Sequence, residues 1–344
     1  MTMPTKTKLV AVSLAAAAIL IAIAYLNRDE ASASTQSTDD AYVQADFTVV
    51  SPQVSGIINN VLVDENQKVR AGELLATIDD RDFQVAVSAA AAEVKAAEAT
   101  VAGLSERIQQ QDSLIRQSKA AIASDSAEVV LAQANQRRYR NLAADGSGSI
   151  QARQQAEASL AVRMAGRERN RAGLDAALQQ TEILKSDLQK SEAALAKAKA
   201  ALDAANLALS YTRIRSPIDG VVGQRSVRLG AHVSVGKPLL AVVPLDEVYI
   251  AANFRETQLA RVRVGQNVAI TIDALPGVRL NGSVESLGPA SGVSYSPVAP
   301  HNATGNFTKI VQRLPVRIRI EPGQKEAGGL RVGMSVTPRI AISE

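Results

Sequence analysis

No proline occurs between Pro52 and Pro217, and that gap constrains the fold of this chain more than any other feature. Proline breaks helix interiors. The interval is filled instead by Ala, Gln, Glu, Lys and Arg, all good helix formers. Val87, Val94, Val101, Ile108, Ile115, Ile122 and Val129 recur at seven-residue steps. A β-branched series of that period is the seam of a coiled coil. A second arm carries Leu160, Leu174, Leu188, Leu195, Leu202 and Leu209 on one seven-residue series, with Arg167 and Thr181 at the missing steps. Between the arms, Asp145-Gly146-Ser147-Gly148-Ser149 is a strong turn signal. Phe83 and Leu209 are equidistant from Gly146. The pattern predicts an antiparallel helical hairpin over 82–210 with its tip at 143–150. Arms of about 63 residues would each reach roughly 95 Å.

The other core series of the first arm weakens toward the tip, where Ala90, Ala97 and Leu104 give way to Gln111, Ser118 and Asp125. Folding the hairpin about Gly146 places Asp125 near Arg167, which predicts an ion pair there. From Arg137 to Arg171 eight Arg stand against Asp145, Glu157 and Glu168, so the distal part is basic. Two readings fit: a solvated helix surface, or a face that docks on an acidic or carbonyl-lined partner.

The hairpin interrupts an internal repeat. One copy runs Val50-Ser51-Pro52-Gln53-Val54-Ser55-Gly56-Ile57-Ile58 and ends Val69-Arg70-Ala71-Gly72-Glu73-Leu74-Leu75. The other runs Arg215-Ser216-Pro217-Ile218-Asp219-Gly220-Val221-Val222 and ends Val233-Ser234-Val235-Gly236-Lys237-Pro238-Leu239-Leu240. Gly56 to Gly72 and Gly220 to Gly236 share a 16-residue spacing. Each copy alternates apolar and polar positions as strands do. Glycines at matched places predict tight turns with positive φ. Neither copy buries its face alone, so the two are expected to close into one small sandwich.

Leu9 to Leu26 is an 18-residue apolar run broken only by Ser13. It would span roughly 27 Å, just enough for a hydrocarbon core of about 30 Å. Lys6 and Lys8 precede it, and Arg28, Asp29 and Glu30 follow. The positive-inside rule puts the N-terminus in the cytoplasm and the bulk outside it. The alternative is a signal peptide cleaved near Ala31-Ser32-Ala33. The run is long for a signal core, and three charges lie just before that site, which favours an uncleaved anchor over residues 9–27. From Val248 onward short alternating runs predict a small β-barrel: Val248–Ala251, Val268–Ile272, Val316–Ile320 and Thr337–Ile342. Helix returns at most in Arg255–Val262. Ser291–Thr308 reads as a long polar loop. Three sequons, at Asn281, Asn302 and Asn306, recur often by chance and carry little weight.

Composition limits the chemistry. Cysteine is absent, which excludes disulfides, thiolate metal sites and Cys nucleophiles, and fits an oxidising compartment. His232 and His301 are the two histidines and lie far apart, which argues against a His-rich metal site. A net charge of +4 is weak evidence for nucleic acid binding. Aromatics are only 3%, so elongated, Ala-rich packing is expected in place of one large core. The sequence carries no Ser/His/Asp set, P-loop, dinucleotide glycine fingerprint or Cys/His metal spacing. Asp39-Asp40 and Asp79-Asp80 read as turn or linker acids.

Several further stretches carry a resemblance. They are Thr38-Asp39-Asp40-Ala41-Tyr42-Val43, Ala252-Asn253-Phe254-Arg255-Glu256-Thr257-Gln258-Leu259, His301-Asn302-Ala303-Thr304-Gly305-Asn306, Val311-Gln312-Arg313-Leu314-Pro315-Val316-Arg317-Ile318 and Leu330-Arg331-Val332-Gly333-Met334. With Ser51–Gly56 and the order of modules, they make residues 9–342 resemble the periplasmic adaptor (membrane fusion, HlyD) family of Gram-negative efflux and secretion systems. The nearest likeness is to adaptors of major-facilitator multidrug exporters. That resemblance implies a modular, elongated α+β fold: a transmembrane helix at 9–27, a linker at 28–40, a biotinyl/lipoyl-like sandwich split into 41–80 and 211–245, the hairpin, and a barrel at 246–344. A true carrier domain holds its prosthetic group on a hairpin-tip lysine. Neither copy shows that lysine context, Lys68 reads as a surface residue, and no covalent cofactor is expected.

Efflux adaptors resembling this chain often carry at the hairpin tip an Arg, a Leu four residues later and a Ser eleven residues after the Arg. Arg138, Leu142 and Ser149 stand at those offsets. The resemblance implies docking of these three on an outer-membrane channel of the TolC type. The bland alternative is that Arg138 is solvated, Leu142 steadies the turn and Ser149 caps the second helix. The expected function is a non-enzymatic adaptor between an inner-membrane major-facilitator drug/proton exporter and that channel, acting as a homo-oligomeric trimer or hexamer. No metal, nucleic acid or catalytic residue is part of the reading. A protein-secretion adaptor and, less favoured, a lipoyl or biotin carrier are the competing readings. A plain coiled-coil scaffold leaves the split repeat unexplained.

Overall fold

The computed structural model describes residues 33–295 and 310–342. The expected membrane anchor at 9–27, His301, Asn302 and Asn306 lie outside the described residues. Among those described, no helix is long and apolar enough to cross a membrane. The chain divides into two units, 79–212 and the remainder.

The first unit holds a sandwich and a barrel. The sandwich takes β3 (Thr48–Val50), β4 (Gly56–Val61), β5 (Lys68–Val69) and β6 (Leu74–Ile78) from the first repeat copy. From the second come β7 (Arg213–Arg215), β8 (Gly220–Gly223), β9 (His232–Val233) and β10 (Leu240–Val243). The sheet orders are β3-β10-β8-β5 and β7-β6-β4-β9. Each sheet therefore has two central strands from one copy and two flanking strands from the other. The copies exchange roles between sheets, which is the pairing of two half-units that the repeat predicts. Val50, Ile58, Val69, Leu75 and Ile78 pack with Ile214, Val222, Val233, Leu240 and Val242 in one buried core. Neither half could bury those side chains by itself.

The matched glycines divide by role. Gly72 and Gly236 have φ of 81° and 79°, as turns require. Their N–H groups donate across the repeat, to the carbonyls of Ser216 and Pro52 at 2.7 and 3.1 Å. Gly56 and Gly220, also expected in positive-φ turns, instead open β4 and β8 with ordinary φ. They are glycines because of crowding. A Cβ would meet Ile78 Cγ2 at 2.5 Å in one copy and the Val243 carbonyl oxygen at 2.6 Å in the other.

The barrel takes β1 (Thr35–Ser37), β2 (Ala41–Gln44), β11 (Tyr249–Arg255), β12 (Asn267–Ile272), β13 (Arg279–Leu287), β14 (Arg313–Ile320) and β15 (Val336–Ala341). Their order is β1-β15-β12-β13-β14-β11-β2, antiparallel throughout. Closure comes where Val43 N–H donates to the Met334 carbonyl and Gly333 N–H to the Val43 carbonyl, at 2.9 and 2.8 Å. Phe254, Ile270, Leu280, Ile318 and Ile340 form the centre of its core. Two placements differ from the sequence reading. Thr35–Ser37 and Ala41–Gln44, expected in a linker and a half-sandwich, are barrel strands. Ala41 and Val43 are fully buried there, because a seven-stranded wall needs two strands from before the sandwich to close. Arg255–Val262 holds only a 3-10 turn, Glu256–Gln258.

The second unit is the hairpin: α1 (Arg81–Ala144, 64 residues) and α2 (Ile150–Ser210, 61 residues). At 1.5 Å per residue these run about 96 and 92 Å. All seven seam residues of α1 are buried or half-buried, with Ile115 and Val129 6% and 2% exposed. At the entrance Asp79 does the capping. Its Oδ1 accepts the Arg81 N–H at 3.2 Å and its carboxylate grips the Arg81 guanidinium. Asp80, formally the cap residue, makes no side-chain bond.

The expected Asp125–Arg167 pair is replaced. Asp125 accepts a hydrogen bond from Asn170 Nδ2 instead. Helical side chains lean toward their own N-terminus. On α1 that is away from the tip and on α2 toward it, so Asp125 meets a residue past its mirror position, as Glu98 does in reaching Lys199 3.6 Å away. The offset is not uniform along the hairpin: Arg163 pairs with Glu128 one position nearer the tip than reflection gives.

Candidate partner-docking site

Arg138, Leu142 and Ser149 all lie at the hairpin tip. The first two are one turn apart on α1, so they share a face. Arg138 is exposed and Leu142 is 36% exposed. Local bonds shape the turn. Gly146 takes φ of 77°, the left-handed position after a helix end. The Leu142 carbonyl receives Gly148 N–H at 2.9 Å and the Ser147 hydroxyl at 3.4 Å. Gly148 passes close above Leu142, and a Cβ there would meet Leu142 Cβ at 3.0 Å. This packs the turn against the Leu142 backbone and Cβ.

Ser149 is extended and caps α2. Its Oγ accepts the Ala152 N–H at 3.1 Å. That is the capping role weighed against docking in the sequence. Accepting leaves the hydroxyl proton free to donate outward, so the two roles are chemically compatible.

The surroundings are basic and apolar together. Of the eight Arg between 137 and 171, Arg153 pairs with Glu157 at 3.7 Å and Arg163 pairs with Glu128. Arg137, Arg138 and Arg140 have no ion pair among the described residues and stand exposed. Beside them Tyr139 is 39%, Leu131 63% and Ile150 66% exposed. Leu131 and Ile150 escaped the sequence reading, although both are large apolar residues outside the two heptad series. Exposed guanidinium groups donate to carbonyls and carboxylates, and a neighbouring apolar side chain seats in a groove. The tip is thus chemically equipped to dock on a polar rim.

Elsewhere the described residues hold no cluster of three or more His, Cys, Asp or Glu able to bind a metal. Lys68 is exposed within β5, its Cα opposite Val221.

Comparison with known proteins follows the same lines. The family described as "RND MFP, barrel-sandwich hybrid domain" matches residues 47–245. The chain is 33% identical over 314 residues to the colistin resistance protein EmrA of Acinetobacter baumannii, covering 89% of this chain and 87% of that one. It is 35% identical over 307 residues to the multidrug export protein EmrA of Escherichia coli K12, covering 87% and 75%. Among solved structures, the membrane fusion protein Spr0693 of Streptococcus pneumoniae R6 matches with a TM-score of 0.54 at 16% identity. That match covers 91% of this chain and all of that one.

Proposed function

Because this chain belongs to the membrane fusion protein family, whose members are adaptors and not enzymes, we propose that it is the periplasmic adaptor of a tripartite efflux pump. Residues 9–27 anchor it in the inner membrane with the N-terminus in the cytoplasm. It links a major-facilitator drug/proton antiporter in that membrane to a TolC-type channel in the outer membrane. The cargo is small hydrophobic toxic compounds, and a trimer or hexamer of the chain surrounds the conduit. Energy comes from the antiporter's proton gradient.

One observation carries this reading: a sandwich whose two copies are separated in sequence by helices of 64 and 61 residues, which end in an exposed tip of unpaired Arg and apolar side chains. About 95 Å of paired helix suits a chain that spans distance. The names of the curated relatives, resistance and export proteins, support drugs over proteins as cargo.

The test is crosslinking from cysteines placed at Arg138 and Leu142, in a chain that has no cysteine of its own. A crosslink to one outer-membrane channel, with R138E and L142E lowering drug resistance to the level of a deletion, is expected. No crosslink to any outer-membrane protein while export stays intact would remove the docking role. Ser149 needs a separate pair. Asp caps a helix as well as Ser does but places a carboxylate where a hydroxyl would donate. If Ser149 touches the channel, S149D loses export while the helix stays capped. Retained export would reduce Ser149 to its cap.

A further inference from the structure

The barrel and the sandwich are joined by two short covalent links: 45–47, between β2 and β3, and 244–248, between β10 and β11. Both are turns. Phe47 N–H donates to the Ala45 carbonyl at 3.0 Å, and Glu247 N–H to the Pro244 carbonyl at 3.2 Å. Any change of angle between the two modules must pass through them.

The ends of these links converge on one side chain. Arg317 sits on β14, with Val316 and Ile318 beside it buried in the barrel core. Its Nε donates to Glu285 Oε2 at 2.9 Å, and Nη2 lies 3.4 Å from Asp46 Oδ2. Its guanidinium carbon stands 3.6 Å from the centre of the Tyr249 ring. The Tyr249 hydroxyl in turn donates to Asp46 Oδ1 at 3.1 Å. Asp46 is within the first link, and Tyr249 begins β11 at the exit of the second. Glu285 falls at the register shift between Val284 and Ser286, which turns it toward Arg317. The group spans β13, β14 and β11, neighbours in sheet order, and the link that follows β2.

The barrel core does not need this group, since its apolar side chains close on the other face of the same strands. Each contact taken singly is also weak. The Asp46 side chain is 73% exposed, and exposed ion pairs contribute little to stability. A fork-shaped guanidinium that stacks on a ring while donating to two carboxylates restricts orientation more than it stabilises. We propose that Arg317 is the pin of a clasp that ties the first link, through Asp46, to the barrel wall at Tyr249, where the second link enters it, and so limits the angles the sandwich and barrel can adopt. The inference concerns the chain alone and does not rest on its role in export.

The experiment uses the full-length protein in lipid nanodiscs. The sequence has no cysteine, so L62C on the sandwich and V264C on the barrel, at positions 52% and 64% exposed, accept spin labels cleanly. Pulsed electron–electron resonance then gives the distribution of inter-module distances. R317A, and separately the D46N/Y249F pair, are expected to broaden that distribution about twofold. Amide exchange at 45–48 and 245–249 should rise about tenfold while β12 and β15 stay protected. R317K keeps the charge without the fork and should fall between. An unchanged distribution in both R317A and D46N/Y249F overturns the clasp. So does faster exchange throughout the barrel of R317A with an unchanged distribution in D46N/Y249F, because Arg317 would then only brace strands.

Discussion

A methyl group on Gly220 would sit 2.6 Å from the Val243 carbonyl oxygen and 2.9 Å from its carbon, both backbone atoms that cannot swing aside. G220A is therefore expected to destabilise the sandwich by about 1–3 kcal/mol. G72A strains a left-handed residue with open space around it and should cost about 1–2 kcal/mol. Denaturant unfolding of the two variants checks both. At the hairpin entrance, the hydrogen bond and ion pair from Arg81 hold the Asp79 carboxyl below its ordinary range. A lowered folded pKa means that the support Asp79 gives is complete above the unfolded value, about 3.9. That support is lost as pH falls through the lower folded value. Amide exchange at Arg81–Gln84 should accelerate below about pH 4. In D79N it should be fast at every pH. An Asp79 that titrates by NMR at the ordinary carboxylate value would refute this.

Along the hairpin, the α1 seam stays β-branched to Val129, but the companion series turns polar at Gln111, Ser118 and Asp125. The structure gives two of these polar positions cross-hairpin partners. Gln111 Nε2 donates to the Ala177 carbonyl at 3.0 Å, and Asp125 accepts from Asn170. Polar contacts in a seam fix register at some cost in stability. In a double-mutant cycle D125A and N170A should be non-additive by about 0.5–3 kcal/mol, whereas D125A and R167A should add. The reverse result would restore the pairing that simple reflection about Gly146 suggests. I115A, at a site 6% exposed, should cost about 2–5 kcal/mol and unzip helix on both arms, read by helical circular dichroism.

At the scale of the molecule, Thr77 and Arg213 are Cα partners where the chain leaves the sandwich and returns. Strands paired at that point can be joined by a two-residue turn. Replacing 79–211 with Asn-Gly is expected to leave a folded, strand-rich protein that has lost its helical signal and its export function. Loss of the sandwich core instead would mean that the hairpin is needed to fold it. The hairpin, its turn and the two-copy sandwich were legible in the residues because each rests on a period: seven for the seam, two for the strands, sixteen between glycines. Arg138, Leu142 and Ser149 were singled out by the family resemblance, and the position of the turn put them at the tip. The capping bond of Ser149 to Ala152, and the exposure of Leu131 and Ile150 beside them, could not be read that way. Local pattern also misassigned Thr35–Ser37 and Ala41–Gln44, because a short alternating strand fits a sandwich as well as a barrel until its partner is known. By itself, then, the sequence determined which segments are helix or strand and that two half-units must meet, since those follow from periodicity and from faces too small to be buried alone. Tertiary structure decided which strands close the barrel, which of Arg167 and Asn170 meets Asp125, and that Arg317 gathers Asp46 and Tyr249. Those outcomes depend on side-chain lean and strand neighbours hundreds of residues apart, which no local pattern encodes.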